Sequence, residues 1–78
     1  MFYTYVLKSL KDNNLYIGFC ENLKRRISEH NNGLVPATKD RRPLKLVYYE
    51  ACLDYDKAVK REKTLKTGFG RKYLKERI

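Results

Sequence analysis

The sequence predicts an α+β domain, a small three-stranded and mainly antiparallel sheet flanked by helices, with residues 1–78 as one unit. Three observations carry this. The runs FYTYVLKS, LYIGFC and LKLVYYEAC are rich in β-branched and aromatic residues, as strands are. The first two are joined by a turn too short for a crossover, so they form an antiparallel hairpin. Helical patterns with cap residues follow the hairpin and the third run, giving the order strand, strand, helix, strand, helix, helix.

Each element has its own reason. In residues 2–9, Tyr3, Tyr5 and Leu7 share one face and Phe2, Thr4 and Val6 the other. Both faces are apolar, which predicts a strand covered on both sides. Lys11-Asp12-Asn13-Asn14 supplies Asx residues that tolerate a positive φ, and residues 15–20 return as the second strand. Asn22 is a good N-cap for a helix through Asn31, and Asn32-Gly33 offers a left-handed stop. Residues 34–43 read as a polar loop, basic at its end, and residues 44–52 as the third strand. Asp54 caps a helix running to about Lys66, with Gly68 as its stop; Gly70 then precedes a short basic helix, RKYLKERI.

Composition narrows the function. Eighteen Lys and Arg face nine Asp and Glu, a net charge of +9 on 78 residues. Such a field attracts polyanions, nucleic acid first and an anionic membrane surface second. Seven Tyr add faces on which bases stack, although strands use Tyr as well. The apolar runs are too short to span a membrane, and the N-terminus has no signal-peptide pattern, so a cytoplasmic protein is expected. Cys20 and Cys52 fit no metal-ligand spacing, one His excludes a Cys/His zinc set, and both thiols read as reduced core residues.

Local rules break at three places, where functional or strained sites tend to lie. On the first helix Leu23, Arg26, Ile27 and His30 share one face, so Arg26 and His30 adjoin its apolar stripe. On the next, Glu62 lies with Tyr55, Ala58, Val59, Leu65 and Lys66. Gly18 interrupts a strand, which weakens it unless something approaches the backbone closely. Structural readings stand beside the functional ones: Arg26 could snorkel or pair with a nearby Glu, His30 could be a satisfied core-edge His, Glu62 could pair with Lys66 at i+4, and Gly18 could mark a bulge.

The arrangement resembles the GIY-YIG nucleases. The first motif is degenerate, Tyr3-Thr4-Tyr5, with Tyr5 at the motif tyrosine; the second is literal, Tyr16-Ile17-Gly18. Asn22-Leu23 followed by Arg26 and His30 is similar to the family's arginine-bearing first helix, and Glu62 in AVKREKTLK matches its metal-binding glutamate. The likeness to small stand-alone members runs from end to end, through RRPLKLVYYE and the basic tail. Phe19 stands where the family's excision-repair subunit has a Lys, and His30 where it has a Tyr.

The resemblance implies a metal-dependent DNA endonuclease acting in repair or processing. Tyr16 is then the general base, Tyr5 orients water or phosphate, and His30 hydrogen-bonds a tyrosine or relays the proton. Arg26 holds the phosphate, and Glu62 binds one Mg²⁺ or Mn²⁺ that acts as Lewis acid. Tyr16, Arg26 and His30 are expected at one surface, with Glu62 arriving from another helix, and Gly18 leaving room for the DNA backbone. Arg41, Arg42, Lys45, Arg71, Lys72 and Lys75 are candidates for phosphate contacts, which give affinity with little sequence preference. The expected substrate is therefore nucleic acid, DNA before RNA, cut by shape or with weak specificity. Two other readings are a nucleic-acid-binding module without catalysis and an adaptor docking an acidic protein partner.

Overall fold

β1 (Phe2–Ser9) is the middle strand because both its faces are apolar and both need cover. In the computed structural model, which describes residues 1–78, it pairs antiparallel with β2 (Leu15–Cys20) on one side and β3 (Leu44–Cys52) on the other. The sheet order is β2-β1-β3. The helices are α1 (Leu23–Asn31), α2 (Tyr55–Leu65) and α3 (Gly68–Lys75). The α+β fold and the three-stranded antiparallel sheet are therefore as expected. No helix is long and apolar enough to cross a membrane.

The two faces of β1 build two small cores. Tyr5 and Leu7 are buried with Leu44, against Leu23 and Ile27 of α1. Val6 is buried with Leu65 of α2 and Leu74 of α3. The molecule thus has α1 on one side of the sheet and α2 with α3 on the other. A register shift opposite Val6 and Leu7 leaves Val47 unpaired, and Val47 and Tyr48 both pack on the α2–α3 side. An extra residue of this kind bends the strand and lets two neighbours face the same core. Thr4 adds a polar tie, donating from Oγ1 to the carbonyl of Ala58 at 3.0 Å.

Caps fall where the side chains provide them. Asn22 Oδ1 accepts from the backbone N–H of Arg25 at 3.0 Å, and Asp54 Oδ1 from that of Lys57 at 3.0 Å. Gly33, with φ of 75°, takes the left-handed turn after α1. The loop between α1 and β3 contains a short 3-10 turn at Lys39–Arg41, and polar side chains hold it down. Ser9 Oγ donates to the carbonyl of Arg41 at 2.6 Å, and Arg41 pairs with Asp12 in the hairpin turn at 2.9 Å. Asn31 bonds both the N–H (2.8 Å) and the C=O (2.9 Å) of Leu44, fixing the end of α1 to the start of β3.

One boundary differs from expectation. Gly68 does not stop α2; it opens α3, which therefore begins before Gly70. The reason is Thr67, whose hydroxyl accepts from the Gly70 N–H at 3.3 Å and caps the new helix. Gly70 is a buried residue inside α3, and a Cβ there would overlap the backbone of Leu65. The lack of a side chain lets α3 fold back tightly on the end of α2. Gly68 has open space around its Cα.

The two glycines should therefore respond in opposite directions. Gly70→Ala is expected to lower stability by about 2 kcal/mol, roughly 10 °C in melting temperature. Gly68→Ala is expected to raise stability by roughly 0.5 kcal/mol, because the unfolded chain loses freedom and nothing clashes. Thermal melts of the two variants beside the parent would measure both.

Candidate active site

The site starts from a cross-strand pair. Tyr5 of β1 faces Gly18 of β2 in the antiparallel register. A Cβ on Gly18 would overlap the Cζ and hydroxyl of Tyr5, so the phenol lies over a backbone without a side chain. This corrects the expectation that Gly18 leaves room for a DNA backbone. Gly18 is buried, and Tyr5 takes that space.

The phenol reaches α1. Tyr5 is 1% exposed and His30 0%, and the Tyr5 hydroxyl lies 2.7 Å from His30 Nε2. The other ring nitrogen, Nδ1, lies 2.6 Å from Oγ1 of Thr38, also 0% exposed. The neutral ring spends one nitrogen as donor and the other as acceptor between these two hydroxyls. Every buried side-chain nitrogen or oxygen has a partner. Burial, reinforced by the charge of Arg26, pushes His30 down to about 4, so the ring is neutral at pH 7. Burial pushes Tyr5 up to about 12, with the guanidinium of Arg26 opposing the rise.

Tyr16 and Arg26 form the open side of this cluster. Tyr16 is half-buried and packs edge-on against His30, with ring centroids 5.1 Å apart. The rings of Tyr5 and Tyr16 are 6.5 Å apart. Arg26, one turn before His30, bonds Glu29 at 3.2 Å and acts on the Tyr5 phenol with its charge. The structure thus brings Tyr5, Tyr16, Arg26 and His30 together. It corrects one point: His30 is not at the surface with Tyr16 and Arg26 but closed beneath them, and Tyr5 is closed with it.

Glu62 is placed differently. Its helix, α2, covers the opposite face of the sheet from the tyrosines. Its carboxylate is 22% exposed and pairs with Lys66 at 3.4 Å, the i+4 partner foreseen as the structural reading. Lys66 and Tyr16 line one cleft of about 660 Å³ at the free edge of β2, and Glu62 reaches that cleft only through its contact with Lys66. No group of three or more His, Cys, Asp or Glu converges anywhere. A lone, partly open carboxylate suits a hydrated hard cation that keeps most of its waters.

The basic candidates divide. Arg41 is held by Asp12, and that pairing pulls the Asp12 carboxyl down to about 2. Arg42 folds over Gly33 and donates to the carbonyl of Lys39 at 2.8 Å. Arg41 is therefore not free for phosphate, which corrects its assignment, whereas Arg42 is exposed and outside every ion pair. Lys45, Arg71, Lys72 and Lys75 are exposed and outside every ion pair. Phe19 is packed between Phe2 and Tyr55, with centroids 6.1 and 5.3 Å away, on the side away from Tyr5. Thr38 escaped the sequence reading because a lone Thr in a polar loop carries no pattern. The available signal was indirect: a buried neutral His needs two partners, and a hydroxyl in the next loop is within reach.

The fold and this cluster of side chains define a GIY-YIG domain: residues 1–75 match the family described as "GIY-YIG catalytic domain", and the chain belongs to that family. It is similar to a UPF0213 protein of Staphylococcus saprophyticus, at 43% identity over 74 residues, 94% of this chain and 89% of the relative. A UPF0213 protein of Clostridium perfringens is 45% identical over 67 residues, 85% of this chain and 71% of the relative. Among solved structures, the solution NMR structure of a UPF0213 protein from Bacillus halodurans superposes with a TM-score of 0.59 at 29% identity, covering 97% of this chain and 84% of that one.

The buried ring predicts a pH dependence. Free His titrates near 6.5 and folded His30 at about 4, so between these values the unfolded chain binds more protons and stability rises with pH. The contribution is fully present above about pH 6.5 and is lost as pH falls toward 4, on the order of 2–3 kcal/mol. Asp12 acts in a separate, lower window, below its ordinary value near 3.8 and toward 2. Urea unfolding from pH 4 to 7 should show the rise in the parent and a flatter profile in His30→Gln.

Proposed function

We propose that this chain is a divalent-metal-dependent endonuclease that hydrolyses phosphodiester bonds in nucleic acid, DNA in preference to RNA, in repair or processing. The observation that carries this reading is the closed Tyr5–His30–Thr38 chain beneath a half-buried Tyr16 and Arg26. A small core gains little from a buried polar chain that apolar residues could replace, since each buried polar group must recover its lost hydration. A chain of this kind is suited to holding two other groups in place.

In this reading Tyr16 is the base that takes the proton of the attacking water. Its ring is held from behind by the edge of His30. Arg26 meets the phosphate and stabilises the charge that grows on its oxygens. Its ion pair with Glu29 fixes its direction, and its charge acts on the Tyr5 phenol. Tyr5 and His30 do not touch the substrate; they position Tyr16 and Arg26. Glu62 would hold the cation, magnesium or manganese, which supplies Lewis-acid charge at the scissile phosphate when bound. Recognition would follow shape, as at a flap, nick or branch, or be weak, and the chain would work in the cytoplasm.

A second reading is a binding module without catalysis. One observation favours it: the Glu62 carboxylate carries Lys66, and it belongs to no group of three or more metal-ligating side chains.

Cleavage of labelled single-stranded, duplex, flap and branched DNA separates the two. With Mg²⁺ or Mn²⁺ the parent should cut, and chelator should stop it. Tyr16→Phe, Arg26→Gln and Glu62→Gln should each lose about 100-fold or more in rate. Undiminished cutting by Glu62→Gln would remove the metal assignment. Salt-sensitive binding with no cutting on any substrate would select the module.

A further inference from the structure

We propose a second anion-binding groove, formed by Lys8, Arg71 and Lys75 and backed by Lys45, that carries a nucleic-acid strand away from the Tyr16 cleft. Its choice of occupant rests on the nuclease reading.

The groove is a hollow of about 300 Å³ between the β1–β2 hairpin and α3. It shares Asn13, Leu15 and Arg71 with the cleft that holds Tyr16 and Lys66, so the two are continuous. Lys8, Arg71 and Lys75 line it, over the apolar side chains of Leu15 and Val47. No Asp or Glu side chain lines either hollow.

Arg25, Arg26, Arg41, Arg61, Lys66 and Arg77 each have a carboxylate partner, and Lys8, Lys45, Arg71 and Lys75 are among the cations that have none. These four are also set against each other. Lys8 and Lys45 are direct partners across β1 and β3, and Arg71 and Lys75 are one turn apart on α3. Like charges in both arrangements repel and weaken the fold. Repulsion gathered around a hollow that no Asp or Glu side chain lines is relieved by a polyanion. An extended strand of sugar-phosphate suits the form, with cations at the rim and an apolar floor. The narrow concave form favours one strand over a duplex. Lys72, adjacent to Arg71, does not line the groove.

The test is binding of a labelled single-stranded oligonucleotide by the full chain in chelator, over a range of salt. Arg71→Gln with Lys75→Gln should weaken binding about tenfold and make the slope of log affinity on log salt shallower by about 1.4, the release expected for two phosphate contacts on a single strand. The exposed control pair Lys57→Gln with Lys60→Gln, on the solvent side of α2, should change neither. The melting temperature of the groove variant should not fall. A slope equal to the parent's overturns the groove. So does an affinity loss confined to anionic phosphatidylserine vesicles. The nuclease reading fails separately: a chain that cuts nothing with metal, yet shows the shallower slope, keeps the groove and loses the enzyme. A chain that cuts normally with an unchanged slope does the reverse.

Discussion

The structure depends on a phenol laid over a bare backbone. Tyr5 can enter the sheet's interior only because Gly18 opposite has no side chain. With the ring so placed, its hydroxyl meets His30 on α1, and His30 meets Thr38 in the following loop. One cross-strand pair therefore sets the seat of α1 and ties down the loop that leads to β3. Arg26, a turn earlier on α1, inherits its place from the same bond. The cost of Gly in a strand, roughly 0.5–1 kcal/mol relative to Ala, is the condition for this arrangement.

The chain Tyr5–His30–Thr38 is stable because it is complete and neutral. A protonated imidazole in that place would be a buried charge beside Arg26, and burial with that neighbour drives the ring to its neutral form. A neutral ring has one donor and one acceptor, and each is used once. Removing any member leaves a buried polar group without a partner, which costs more than the bond itself contributes. The polar chain thus constrains geometry more than it adds stability. Such a constraint matters most where a phenol and a guanidinium on its open side must keep a fixed relation.

Much of the fold was legible because it is written in local patterns. The three runs of β-branched and aromatic residues became strands, and the two apolar faces of residues 2–7 placed β1 in the middle. Asn22, Asp54 and Gly33 marked helix ends through bonds to neighbours only a few residues away. Reading failed where the partner is distant. Arg41 read as a free cation, but its carboxylate lies in the hairpin turn, 29 positions earlier. Gly70 read as preceding the last helix, but it lies inside α3 in close approach to Leu65. Arg26 and His30 were visible as polar residues beside an apolar stripe. That His30 is closed from solvent was not, because its depth is set by Tyr5 and Thr38 rather than by its own helix.

Net charge alone is a poor guide to where an anion would meet this surface. Several of the cations are spoken for by carboxylates, and those pairs serve the fold: Asp12 with Arg41 binds the hairpin turn to the loop, and Glu50 with Arg61 joins β3 to α2 at 2.7 Å. Lys66 belongs to both groups. It is paired with Glu62, yet it lines the cleft with Tyr16. The pair is a single i,i+4 contact with Lys66 54% exposed, and ion pairs of that kind contribute little, about 0.3–0.5 kcal/mol. So weak a hold does not close the carboxylate to a stronger cation. Displacement of Lys66 from Glu62 would leave the ammonium in the cleft beside Tyr16, where it adds positive charge for a phosphate. The same residue then reconciles a carboxylate that is neutralised at rest with one open to exchange of its cation.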